Sequence, residues 1–173
     1  MRQGSAYYSG ATWEALAPDG TPATRESAGG TFQSLAHGWG SGPTSALSKY
    51  VLGVRPVQPG YKTWLIEPQP GDLSWAEGRV PTPFGPITAN WKNAPDRFAL
   101  DVVVPAGTRG TIGIPAPAGR VSIKVNGRLF KQKEKKDKQV DVFTLEENVG
   151  GRDGYVYVND LPPGTYSIVA TAR

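Results

Sequence analysis

At Gly53-Val54 the chain changes its hydrophobic period, and that change limits the fold more than any other feature. Before it, "SGPTSALSKYVLG" (Ser41 to Gly53) carries helix punctuation. Pro43 suits a first helical turn, where its missing N–H costs nothing. Ser41 is a candidate cap, Leu47, Tyr50 and Val51 share a face by the i, i+3, i+4 rule, and Gly53 supplies a left-handed stop. After it, apolar residues recur at every second position. Phe98, Leu100, Val102 and Val104 point one way in "FALDVVVP". Val121, Ile123 and Val125 alternate with Ser122 and Lys124 in "VSIKVNG". "KTWLIEP", "TIGIP", "QVDVFTLE", "GYVYVND" and "GTYSIVATA" read as further strands, and the Pro/Gly turn "PTPFGP" makes "SWAEGRV" and "ITANWKN" a hairpin. Eight or nine short strands with Gly/Pro turns predict a mainly β protein, an antiparallel β-sandwich of jelly-roll type. A loop-rich segment and one short helix near 43–52 precede it. Residues 1–53 and 54–173 are the expected divisions. Parallel α/β architecture is excluded because no crossover helices are available.

Composition narrows the chemistry. Cysteine is absent, which removes disulfides, thiolate catalysis and Cys-ligated metal sites together. No run approaches the ~18 apolar residues of a membrane helix. "MRQGSAYYSG" lacks the apolar stretch of a signal peptide, so the default expectation is a cytoplasmic protein without a membrane partner. The net charge of +4 is concentrated in "RLFKQKEKKDK" (Arg128 to Lys138), which holds six basic and two acidic residues. The run lies between alternating segments and has no aromatic residue among its lysines, so a solvated hairpin end is expected and nucleic acid is not.

The residues that could do chemistry lie near the front. Glu14 follows Trp13, and an apolar neighbour can tune a carboxyl for acid/base work. His37, the chain's one histidine, precedes Gly38-Trp39. Against these stand a surface Glu in a loop and a His that satisfies a local backbone bond. No nucleophile elbow or glycine-rich phosphate loop occurs, and one His with scattered acids makes no metal site. Neither a metal nor a cofactor is expected. Aromatic residues are denser than acids here: Tyr7, Tyr8, Trp13, Phe32, Trp39, Tyr50, Tyr61 and Trp64 all fall within the first 64 residues. Flat aromatic faces beside a carboxylate and an imidazole suit a sugar, whose C–H face stacks while its hydroxyls hydrogen-bond. Trp13 and Trp39 are the candidates for that role. Tyr50 and Trp64 are expected to fill the seam between helix and sheet.

The motifs "ATWE", "SLAHGWGSGPTSAL", "YVLGVRP" and "PGYKTWLIEPQPGDLSWAEGRVPTPFGPI" resemble, in order and over roughly residues 8–92, the C-terminal portion of α-L-rhamnosidases of the six-hairpin glycosidase group. In that family an (α/α)₆ barrel carries the chemistry and a β-sandwich follows it. The resemblance implies that Glu14 is the general base that activates water, and that His37 and Trp39 lie near the sugar. It also implies that residues 1–53 are the end of the barrel and that helix 43–52 is its last helix. Inversion needs a second carboxyl, the acid, roughly 6.5–9.5 Å from the base. In the family that acid belongs to barrel segments preceding this portion, so negligible glycosidase activity is expected of the truncated chain alone.

Three other readings stay open beside it. One is a non-catalytic carbohydrate-binding module using Trp13, His37 and Trp39. Another is a stand-alone protein that reuses the fold, with Glu14 as acid/base on another small molecule. The last is self-association, a homodimer through the N-terminal segment, since the apolar helix side exceeds what a sandwich can cover.

Overall fold

The computed structural model describes residues 10–19, 21–23, 34, 36–116, 121–130, 145–146 and 154–172. The chain forms two compact units, Met1–Ala46 and Leu47–Arg173.

In the first unit Leu16 bridges Pro22 across a turn. Asp19 closes the turn by accepting from the Thr21 N–H at 3.0 Å and the Thr21 hydroxyl at 2.7 Å. These bonds to the ionised form hold the Asp19 carboxyl below the usual carboxylate range. The unit ends in a 3₁₀ turn, Gly38–Ser41, and a short α-helix, Gly42–Ala46.

The second unit opens with a π turn, Leu47–Val51, closed by the Leu52 N–H donating to the Leu47 carbonyl at 2.8 Å. The helix expected over 43–52 is therefore a mixed run, with Ser41 inside the 3₁₀ turn and no longer its cap. The wider π turn also changes which side chains face inward. Tyr50 is 50% exposed and does not fill the seam; Leu52 is buried in its place, and the Trp91 indole N–H donates to the Val51 carbonyl at 3.0 Å. Gly53 stops the run at φ +86°. A Cβ there would lie 2.3 Å from Pro68 N and 2.4 Å from the Glu67 carbonyl carbon, so both its conformation and the close chain crossing require glycine.

Eleven strands follow among the described residues: β1 (Val54–Pro56), β2 (Thr63–Ile66), β3 (Trp75–Val80), β4 (Ile87–Ala94), β5 (Arg97–Val104), β6 (Arg109–Pro115), β7 (Val121–Val125), β8 (Arg128–Phe130), β9 (Leu145–Glu146), β10 (Tyr155–Leu161) and β11 (Gly164–Ala172). They form a five-stranded sheet, β1-β2-β6-β10-β9, and a six-stranded sheet, β3-β4-β5-β11-β7-β8. The expected β3–β4 hairpin pairs from Trp75↔Lys92 to Val80↔Ile87. Its turn is held by the Thr82 hydroxyl, which donates to the Gly85 carbonyl. The mainly β, antiparallel-rich architecture is as the alternation predicts, with one departure. β2 and β6 pair in parallel, from Thr63↔Arg109 to Ile66↔Ile112. The long connection that a parallel pair needs is supplied by strands of the other sheet instead of a helix.

The alternating positions form the core: Trp64, Ile66, Trp91, Phe98, Leu100, Ile112, Ile114 and Ile168 are all essentially inaccessible. Each such side chain contributes about 2 kcal/mol of transfer free energy. Trp64 fits because Gly110 lies opposite, where a Cβ would fall 2.3 Å from the indole ring. Its N–H donates to Thr108 Oγ1 at 3.1 Å. Of the basic run, only Arg128–Phe130 lies in the described residues, and of "QVDVFTLE" only the last two positions.

Candidate functional site

The front of the chain builds one site from two short stretches of the first unit. The Glu14 N–H donates to the Ser34 carbonyl at 3.0 Å, and the Ser34 N–H donates back to Glu14 Oε2 at 2.7 Å. The Ser34 hydroxyl donates to the Ala36 carbonyl at 2.8 Å and accepts from the Ala36 N–H at 3.1 Å, which curls the chain tightly after Ser34. His37, extended at φ −125°, then leads into the 3₁₀ turn, with its Nδ1 3.4 Å from the same Oε2. Gly40 lets this turn lie against the Trp13–Glu14 backbone. A Cβ on it would meet Thr12 Oγ1 at 2.9 Å and the Trp13 carbonyl at 3.0 Å.

Two candidates separated by 23 positions are thus neighbours in space. The Glu14 side chain is 15% exposed and that of His37 is 35% exposed. Both contacts fall on Oε2. A carboxylate held in place through one oxygen can orient a water and take its proton. Trp13 is partly buried. Trp39 has its backbone in the 3₁₀ turn, and its side chain lies outside the described residues, as do Tyr7, Tyr8 and Phe32. Among the described residues no group of three His, Cys, Asp or Glu side chains could hold a metal.

The second unit holds a polar cluster that the sequence reading did not single out. Glu67 is 4% exposed. Its Oε1 accepts from Arg55 Nη2 at 2.6 Å and its Oε2 accepts from the Tyr157 hydroxyl at 2.6 Å. Gly113, paired with Tyr157, makes the room, since a Cβ would fall 2.8 Å from the Tyr157 ring and 3.1 Å from Glu67 Cγ. Tyr155, its ring 6.3 Å from that of Tyr157, donates to the Pro68 carbonyl at 2.6 Å. The signal for it was a Glu directly after the buried Ile66, at a place where alternation would have exposed it. A buried carboxylate with both oxygens engaged, one by a cation, is a structural tie.

Residues 53–128 match the family described as the bacterial alpha-L-rhamnosidase C-terminal domain. An alpha-L-rhamnosidase of Alteromonas sp. (strain LOR) is 45% identical over 56 residues, which cover 32% of this chain and 6% of that protein. One from Formosa agariphila is 35% identical over 81 residues, covering 46% of this chain and 9% of that protein. The chain therefore spans under a tenth of the length of these relatives. The solved alpha-L-rhamnosidase structure from Dictyoglumus thermophilum superposes on 92% of this chain and 16% of its own, with a TM-score of 0.68 at 23% identity. That of Streptomyces avermitilis, complexed with L-rhamnose, covers 91% and 13% with a TM-score of 0.56 at 23% identity. These two likenesses bear on the fold. By sequence, residues 53–128 are similar to the C-terminal domain of bacterial alpha-L-rhamnosidases, and the two solved structures share the fold of this chain.

Proposed function

We propose that this chain supplies the general base and the sandwich of an α-L-rhamnoside-hydrolysing protein, with Glu14 activating the attacking water and His37 and the Ser34 N–H orienting its carboxylate. Trp13 and Trp39 line the sugar's place beside it. The observation that carries this reading is the convergence of His37 and Ser34 on one Glu14 oxygen, in a motif order that the family resemblance assigns to the base. The acid and most of the pocket wall come from the barrel, so the chain by itself binds carbohydrate weakly and does not turn over an aryl α-L-rhamnoside. In the protein carrying the barrel, Glu14→Gln removes the base while keeping its shape. It should lower kcat about 10²–10⁴-fold with KM little changed. A kcat within threefold of the parent would overturn the assignment.

A second reading, association through the opening turn of the second unit, is favoured by Leu47 at 56% and Tyr50 at 50% exposure. Its occupant is a second copy of the chain, and a monodisperse monomer in light scattering at tens of micromolar, roughly well above a Kd of 1 μM, would refute it.

A further inference from the structure

The sandwich has an open end where the two sheets part. The β4–β5 turn, Asn93 to Phe98, forms one side and Pro115-Ala116, at the end of β6, the other; the 70–74 loop closes the third. The cleft between them measures about 430 Å³, within the roughly 300–1,000 Å³ of small-molecule sites. Its walls are fixed before any ligand arrives. Pro70, Pro95 and Pro115 have no free φ. The Leu73 N–H donates to the Pro70 carbonyl at 3.0 Å, the Asn93 N–H to the Ser74 carbonyl at 2.8 Å, and Asn93 Nδ2 to the Leu73 carbonyl at 3.3 Å. Phe98, 1% exposed, is the floor.

The lining chemistry selects a ligand class. Carbon surface from Pro95, Pro115 and Leu73 lies beside the polar residues Asp72, Ser74 and Asn93. Among the described lining residues Asp72 is the one that carries a charge, and its carboxylate repels an anion. A ligand with an apolar face and hydroxyl edges fits, and a neutral pyranose has both. We propose that this cleft is a non-catalytic subsite for a neutral saccharide ring, built wholly within the second unit and independent of the role assigned to Glu14.

The test is an amide chemical-shift titration of the isotopically labelled chain with L-rhamnose, D-glucose and D-glucuronate. The expected result is saturable shifts at Asp72–Ser74 and Asn93–Ala94 with at least one neutral sugar, at a Kd on the order of 1–10 mM, and glucuronate several-fold weaker. Ala94→Trp, at an exposed lining position, fills the mouth and should abolish those shifts. Asp72→Ala, on an exposed turn, should weaken them about tenfold, and it tests the site even if the larger substitution unfolds the chain. No saturable shifts at these residues up to about 100 mM, glucuronate binding as tightly, or sugar binding unchanged in Asp72→Ala would each overturn the proposal. Because the readout is residue by residue, failure here leaves Glu14 untouched, and shifts confined to residues 13–40 would count against the cleft alone.

Discussion

Replacing Tyr157 by Phe removes one oxygen atom and leaves Glu67 Oε2 without the donor that now lies 2.6 Å away. Burial at 4% exposure gives water little chance to substitute. A hydrogen bond to a charged group contributes about 1.5–3 kcal/mol, and losing one partner leaves the desolvation of the other uncompensated. The expected cost is about 2 kcal/mol, held below the full loss of a buried ion pair because Arg55 still binds Oε1. Tyr155→Phe is the internal control. It breaks a bond of the same 2.6 Å length to a neutral acceptor, the Pro68 carbonyl, and should cost about 1 kcal/mol. For a chain of this size those figures correspond to melting-temperature losses of about 4–8 °C and 2–4 °C. Denaturant unfolding followed by tryptophan fluorescence reports the second unit through the buried Trp64 and Trp91. In a Glu67→Gln background the acceptor is neutral, so the Tyr157→Phe cost should fall to about 1 kcal/mol. If Tyr157→Phe costs no more than Tyr155→Phe, or if its cost is unchanged in Glu67→Gln, the cluster is not an ionic tie and the reasoning fails.

Gly53→Ala should destabilise the second unit by more than about 2 kcal/mol, since left-handed strain of about 1–2 kcal/mol adds to a clash with Glu67 and Pro68 backbone that no rotamer relieves; a melting temperature within 2 °C of the parent would contradict the crossing geometry. Alkaline pH should act through Tyr166, whose phenol burial pushes up. The unfolded chain ionises this group near its ordinary value of about 10, before the folded chain does, so its contribution to stability is whole below that pH and is lost as pH rises towards the folded value. Tyr166→Phe should therefore show a shallower fall in unfolding free energy above about pH 10 than the parent, and parallel slopes would refute the assignment.

The sandwich was legible because its strands alternate cleanly. Phe98, Leu100, Val102 and Val104 are all buried, and Asp101 and Val103 between them face out. The hairpin at Pro81 to Pro86 was legible for the same reason, since turn residues separate two alternating runs. The parallel β2–β6 pair was not, because period two reports which face is buried and says nothing of strand partner or direction. Tyr50 was misplaced because a helical wheel assumes 3.6 residues per turn, and the chain leaves that geometry at Leu47. Glu14 and His37 could be named as candidates from residue type. Their meeting depends on Ser34 and on the absent Cβ of Gly40, neither of which carries a chemical signature by itself. Glu67 was passed over because its burial is granted by Tyr157, ninety positions away, and by the slot at Gly113.

The parallel pairing of β2 with β6 has a consequence for the order in which the molecule assembles. Ile66 and Ile112 can meet only after the chain from Glu67 to Thr108 has been gathered in, and closing so long a loop while it is unstructured is entropically slow. That connection contains β3, β4 and β5, an up-and-down meander whose partners are sequence neighbours and which therefore can form first. Once it does, the free loop is short and β2 and β6 are brought within reach of each other. Conservative truncations in the meander, such as Val102→Ala, should then slow folding, whereas Ile66→Val should chiefly hasten unfolding. Stopped-flow chevrons with the reverse pattern would mean that the first sheet nucleates the domain.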